Sequence, residues 1–151
     1  MIIKAKNYAA FCLGKKNYTE QELYKKLCEK GYEECAAEVI AEFVKAGVLN
    51  DRDYAYMYIS DGINIKYKGL YRISRELLEK GVDKRIISEV SEEFCEASYN
   101  ALCEFVRAHY GEERISDRKI LEKIKAQLLR RGFSYDEIRN CFDDFDWSDK
   151  Y

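Results

Sequence analysis

A short segment built on leucine and glycine recurs three times along this chain, and its period constrains the fold more than any other feature. Leu27-Cys28-Glu29-Lys30-Gly31-Tyr32, Leu77-Leu78-Glu79-Lys80-Gly81-Val82 and Leu128-Leu129-Arg130-Arg131-Gly132-Phe133 place their glycines 50 and 51 residues apart. A fixed period of roughly 20 to 50 residues marks a repeat architecture. Leu23, Ile73 and Ile124 each precede the leading leucine by four positions, one turn back on the same helical face. Beyond the glycine, apolar residues return after six positions (Ala37, Ile87, Ile138), nine (Ile40, Val90, Cys141) and thirteen (Val44, Phe94, Phe145). That spacing predicts a second amphipathic helix. Glycine suits the place between them because it enters the left-handed region without a Cβ penalty.

Taken in order, the chain predicts a first helix from Ile2 to about Leu13, using Ile3, Tyr8, Ala10, Phe11 and Cys12 and stopped by Gly14. Thr19-Glu20-Gln21-Glu22 and Ser134-Tyr135-Asp136-Glu137 are capping boxes, in which hydroxyl and carboxylate satisfy free amides at a helix start. Asn50 or Asp51, then Asp83, cap further helices, and Asp117 opens one that ends at Arg130. No segment alternates like a strand, and a chain without proline suits uninterrupted helices. The expected fold is all-α: a tandem array of three three-helix repeats, residues 1–46, 50–94 and 95–146, forming an elongated, curved molecule. An acidic tail, residues 143–151 with Asp143, Asp144, Asp146 and Asp149, is expected to fray.

Enzyme chemistry finds little support. His109 is the sole histidine and has no cysteine or carboxylate partner at metal-ligand spacing, and no phosphate loop, nucleophile elbow or zincin motif occurs. Six cysteines without a Cys-x-x-Cys pair fall at apolar helical positions, which predicts packed, reduced thiols rather than disulfides or zinc. Neither a cofactor nor a metal site is expected. Without a long apolar run or cleavage pattern, the chain reads as a cytoplasmic monomer with no membrane segment.

Charge is more informative in its placement than in its total. With 26 basic and 28 acidic residues the net charge is −2, so an anionic partner must be met locally. Lys66, Lys68, Arg72 and Arg75 occur without an intervening acid, and Lys68, Arg72 and Arg75 have helical spacing. Arg114, Arg118, Lys119, Lys123, Lys125, Arg130 and Arg131 follow one period later against Asp117 and Glu122. In repeat register Lys68 and Arg72 fall on Lys119 and Lys123, so repeats two and three are expected to share a basic stripe. Tyr54, Tyr56, Tyr58, Tyr67 and Tyr71 are available for base stacking, although helix packing accounts for most tyrosines in such a pattern.

With these residues in view, the chain resembles the RecX family, bacterial regulators of the RecA recombinase. The resemblance rests on Glu22-Leu23 to Gly31, Leu49-Asn50-Asp51-Arg52-Asp53-Tyr54-Ala55, the Gly69 to Gly81 stretch, and Arg131-Gly132-Phe133-Ser134-Tyr135-Asp136-Glu137-Ile138, which together cover nearly the whole chain. It implies a curved helical modulator lying in the groove of the RecA filament on single-stranded DNA. Such a protein inhibits the RecA ATPase and strand exchange by blocking extension or promoting disassembly, within homologous recombination, DNA repair and the SOS response. On that basis the expected contacts are Lys68, Arg72, Arg75, Lys119, Lys123, Lys125, Arg130 and Arg131, with weak direct binding to single-stranded DNA. Two alternatives remain: a nucleic-acid-binding helical array acting without RecA, and a peptide-binding helical scaffold.

Overall fold

The computed structural model describes residues 1–111 and 113–147. Every regular element among the described residues is helical: α1 Ile2–Lys15, α2 Glu20–Glu29, α3 Ala36–Lys45, α4 Asp51–Asn64, α5 Leu70–Glu79, α6 Lys84–Glu92, α7 Cys95–Tyr110, α8 Arg118–Arg130 and α9 Tyr135–Asp144. Contacts group the chain into two units. One holds residues 1–57 and 77–88; the other holds residues 58–76 and those from 89 onward.

In the first unit, α1 to α3 close around Ala5, Ala9, Cys12, Leu23, Leu27, Ala36, Val39 and Leu49. The inward face of α1 differs from the expected one. Ala5, Ala9 and Cys12 are buried while Ile3 and Phe11 are 71% and 58% exposed, because small side chains let α1 approach its neighbours closely and the helix has apolar residues on more than one face. Gly14 lies inside α1 instead of ending it; a single glycine costs a helix only about 1 kcal/mol. The Thr19–Glu22 capping box forms as the sequence requires, with Thr19 Oγ1 accepting the Glu22 amide at 3.1 Å and Glu22 Oε1 accepting the Thr19 amide at 3.0 Å.

The expected inward face of α3 is displaced by one residue. Ala36 and Val39 are buried, whereas Ala37 and Val44 are exposed and Ile40 is half-buried. The reason lies just upstream. After Gly31 the backbone makes an extra turn through Glu33-Glu34-Cys35 and α3 begins without a side-chain cap, whereas α6 and α9 start directly behind Asp83 and Ser134. The later copies keep the expected register, with Ile87, Val90, Phe94, Ile138 and Cys141 buried.

The second unit contains a larger core in which Leu102, Phe105, Val106, Leu121, Ile124, Leu128, Phe133, Ile138, Cys141 and Phe142 pack with Trp147. Trp147 corrects the expectation of a fraying tail for its described part. Its ring is 5.2 Å from Phe142 and 5.5 Å from Phe145, and its indole N–H donates to Glu113 O at 3.1 Å. Asp143 and Asp144 belong to α9, and Asp149 lies outside the described residues. Burial of an indole with its N–H satisfied outweighs the repulsion among nearby aspartates.

Each unit contains one copy of the same joint. In the first, Thr19 Oγ1 donates to Lys80 O at 2.7 Å; in the second, the Gly69 amide donates to Arg131 O at 2.8 Å. Thr19 and Gly69 each stand twelve positions before the glycine of their own repeat, and Lys80 and Arg131 each immediately precede the next one. The start of the glycine-ended helix of one repeat thus docks on the glycine turn of the following repeat, in identical register. A side chain at Gly69 would overlap the Gly132 carbonyl group, and one at Gly132 would come within 2.5 Å of Arg72 Cβ. Glycine at Gly132, with φ +103°, therefore serves both a left-handed turn and a close backbone approach.

Candidate functional site

The eight cations singled out from the sequence fall into different environments. Lys68 precedes α5 rather than riding on it, so it does not continue a helical stripe with Arg72 and Arg75. Its ammonium lies 3.0 and 3.1 Å from the two carboxylate oxygens of Glu76. Arg72 Nε donates to Glu76 Oε2 at 3.3 Å, and the Tyr58 hydroxyl donates to Oε1 at 2.8 Å. Side-chain exposure is 16% for Lys68, 21% for Glu76 and 39% for Arg72, so this network is partly withdrawn from water. Burial raises the Glu76 pKa, but the hydrogen bonds from Tyr58 and Lys68, the Lys68 charge and the Arg72 hydrogen bond outweigh it and hold the carboxyl below its usual range.

Arg131 is committed to the joint. Its Nε donates to Tyr67 O at 3.0 Å, a terminal amine donates to Lys66 O at 2.8 Å, and the guanidinium sits 4.3 Å from the centre of the Phe105 ring. His109 stacks on the same ring with centres 4.0 Å apart. Tyr67 adopts φ +52°, a left-handed conformation uncommon for a residue with a side chain, and the Arg131 hydrogen bond helps hold that turn. Burial, then the neighbouring Arg72 charge, lower the Arg131 pKa.

Arg75, Lys119, Lys123 and Arg130 are exposed and Lys125 is half-buried. On α8 the buried side chains are Leu121, Ile124 and Leu128. At 3.6 residues per turn, Lys119, Lys123 and Arg130 project from the opposite side in one line, while Lys125 flanks the buried face. Asp117 caps α8 by accepting the Lys119 and Ile120 amides at 2.9 and 3.3 Å. Arg118 and Lys119 stand in the first turn of α8, which carries no acid. Cations there oppose the helix dipole, so helix stability does not account for their placement. On α5, Arg75 shares the side away from Ile73 and Leu77 with Tyr71, which is 71% exposed, and Leu78 at 48%. The basic stripe is therefore continuous on α8 and reduced to Arg75 on α5.

Glu76 was not singled out from the sequence, although Arg72 and Glu76 have the i, i+4 spacing that places opposite charges side by side. The Lys68 and Tyr58 contributions depend on the turn between α4 and α5. Of the tyrosines offered for stacking, Tyr67 packs near Phe105 with ring centres 6.1 Å apart and Tyr58 is held by Glu76; Tyr71 remains open. The surface depression lined by Tyr99, Asn100, Cys103, Glu104, Arg107, Asp144 and Phe145 has a volume of 590 Å³. Tyr99 donates to Asp144 there, and burial followed by that bond pushes the Tyr99 pKa up. Burial and Cys103 likewise push Cys141 up, which keeps both groups protonated and chemically quiet. No group of three or more His, Cys, Asp or Glu side chains suited to a metal occurs among the described residues.

Comparison with known proteins fits this geometry. Models of the first, second and third three-helix domains of RecX match residues 5–43, 50–90 and 96–142. Regulatory protein RecX of Caldanaerobacter subterraneus is 32% identical over 91% of this chain and 68% of its own length; that of Clostridioides difficile is 30% identical over 97% and 73%. The chain belongs to the RecX family. The crystal structure of RecX from Lactobacillus salivarius superposes with a TM-score of 0.85 at 29% identity, covering 96% of each chain. Regulatory protein RecX of Clostridium perfringens is 33% identical over 89% of this chain, and the chain spans 65% of that relative's length. Among the described residues no helix is long and apolar enough to cross a membrane.

Proposed function

We propose that this protein regulates RecA by binding the RecA filament on single-stranded DNA in the cytoplasm as a monomer, without catalysis of its own. Three repeats, residues 1–46, 50–94 and 95–146, then offer successive contacts whose combined affinity needs no deep pocket. Inhibition of the RecA ATPase and of strand exchange follows from occupying the filament groove. The observation that carries the reading is the α8 line of Lys119, Lys123 and Arg130, exposed opposite the buried face in a chain of net charge −2. Membership of a family of regulatory proteins supports it. Arg75, with Tyr71 and Leu78 beside it, provides a second point of contact, and Lys125 flanks the first. In the free protein Lys68 and Arg72 are engaged by Glu76 and Arg131 by two backbone carbonyls.

Titration of the RecA ATPase on single-stranded DNA with this protein tests the proposal. Wild type should inhibit, and Lys119→Glu with Lys123→Glu and Arg130→Glu should need about tenfold more protein, because like charges replace three attractive ones at the contact. Circular dichroism should show helicity retained. Equal inhibition by the folded triple variant would overturn the assignment of this surface, and absence of inhibition by wild type would overturn the function.

A further inference from the structure

Three donors converge on one carboxylate at the start of α5. Lys68 Nζ reaches both oxygens of Glu76, while Arg72 Nε and the Tyr58 hydroxyl take one each, all within 2.8 to 3.3 Å. Arg131 adds a third positive charge close enough to Arg72 to be disfavoured by it. Its guanidinium donates to carbonyls, which do not neutralise it. Two cations therefore share one anion with a third cation beside Arg72, and the local excess of positive charge favours a further negative group. We propose that Lys68, Arg72 and Tyr58 form an anion seat that Glu76 fills in the free protein and that a backbone phosphate of single-stranded nucleic acid takes over on binding. This rests on the reading that the basic surface meets a nucleoprotein partner.

The donor set suits a phosphate as well as a carboxylate: one arginine edge, one ammonium and one hydroxyl, all charge-assisted or pointing at the same place. Access is open from the arginine side, since the Arg72 side chain is 39% exposed. The neighbouring position supports the choice of nucleic acid over an acidic protein segment. Tyr71 is 71% exposed beside Arg72, and an uncovered aromatic ring next to a phosphate seat matches the pairing of stacked base and backbone contact that binds single strands. Arg75 continues the same exposed side. Glu76 then sets a threshold: a single weak anion gains nothing by replacing it, whereas a polyanion held elsewhere on the surface delivers a phosphate at high effective concentration.

The direct test omits RecA. Binding of a fluorescein-labelled deoxythymidine oligomer is measured by anisotropy across a salt series for wild type, Glu76→Gln and Tyr58→Phe. Wild type must expel Glu76 before the phosphate enters, so Glu76→Gln should bind several-fold tighter with a salt slope close to that of wild type, and the slope should fall by about 1.4 only when Lys68 and Arg72 are replaced as well. Tyr58→Phe removes the same donor from Glu76 and from the phosphate without altering charge, so its affinity should stay close to that of wild type. Adding Lys68→Gln and Arg72→Gln to Glu76→Gln should remove the gain. No gain in folded Glu76→Gln, an undiminished slope when Lys68 and Arg72 are replaced, or no binding by any form would overturn the seat. RecA inhibition by wild type without a gain of affinity in Glu76→Gln would reject the seat alone; a gain in Glu76→Gln without RecA inhibition would reject the partner alone.

Discussion

Arg131 is the residue whose role the chain conceals best. In sequence it is the last of a basic run, yet its side chain fastens the Lys66–Tyr67 turn through two carbonyls and covers Phe105. Hydrogen bonds from a charged group contribute about 1.5 to 3 kcal/mol, and contact with an aromatic face adds about 0.5 to 2 kcal/mol. Arg131→Ala should therefore lower unfolding free energy by about 2 to 4 kcal/mol in urea titration, within the sum of those ranges. Arg131→Lys should recover less than half, because an ammonium cannot reach two carbonyls from a planar fork. A loss below about 0.5 kcal/mol, the scale of an ordinary surface substitution, would assign Arg131 to the exposed surface instead.

Among the helices and turns, the repeated joint explains why glycines that look alike in sequence are not equivalent. Gly31, Gly81 and Gly132 all have positive φ, but nothing lies within 4 Å of a Cβ at Gly31, whereas Gly81 faces the Gln21 side chain and Gly132 faces backbone. Alanine at Gly31 pays the left-handed penalty alone, about 1 to 2 kcal/mol. At Gly81 the long Gln21 side chain must also move, and at Gly132 the backbone of the preceding repeat must shift. Thermal unfolding of the three alanine variants should therefore rank Gly132→Ala as most damaging, then Gly81→Ala, then Gly31→Ala. Equal losses at all three would mean that turn conformation matters and docking does not.

For the whole molecule, acid stability is decided by groups that pull in opposite directions. Glu76 has a lowered pKa, so its contribution is present above its unfolded value near 4.5 and is lost as pH falls through the folded value. Asp51 and Glu20 behave in the reverse sense. Asp51 is 7% exposed and accepts the Glu20 amide at 2.9 Å. Burial, partly offset by the Glu20 hydrogen bonds, raises the Asp51 pKa, and burial together with Asp51 raises that of Glu20. Their ionisation opposes folding above the folded pKa values, and protonation on mild acidification relieves it. Melting temperature measured against pH should show Glu20→Gln with a flatter response than wild type just above pH 4.5, and Glu76→Gln with a smaller loss below it. Identical curves for all three proteins would remove both networks as determinants of acid stability.

Sequence alone determined the helical class, the threefold period and the caps at Thr19, Asp83 and Ser134, because helix starts, glycine turns and apolar periodicity are set by residues a few positions apart. It also placed the cations of α8, where spacing within one helix fixes which side they occupy. Tertiary structure decided the rest. The inward face of α1 and the register of α3 depended on how closely small residues could pack and on one extra turn after Gly31. The fates of Lys68, Arg72 and Arg131 depended on Glu76, Tyr58 and two carbonyls brought beside them by folding. A charge reads the same in sequence whether it meets solvent or a partner 65 positions away, as Arg131 does at Lys66; the distance between them exists only in the fold.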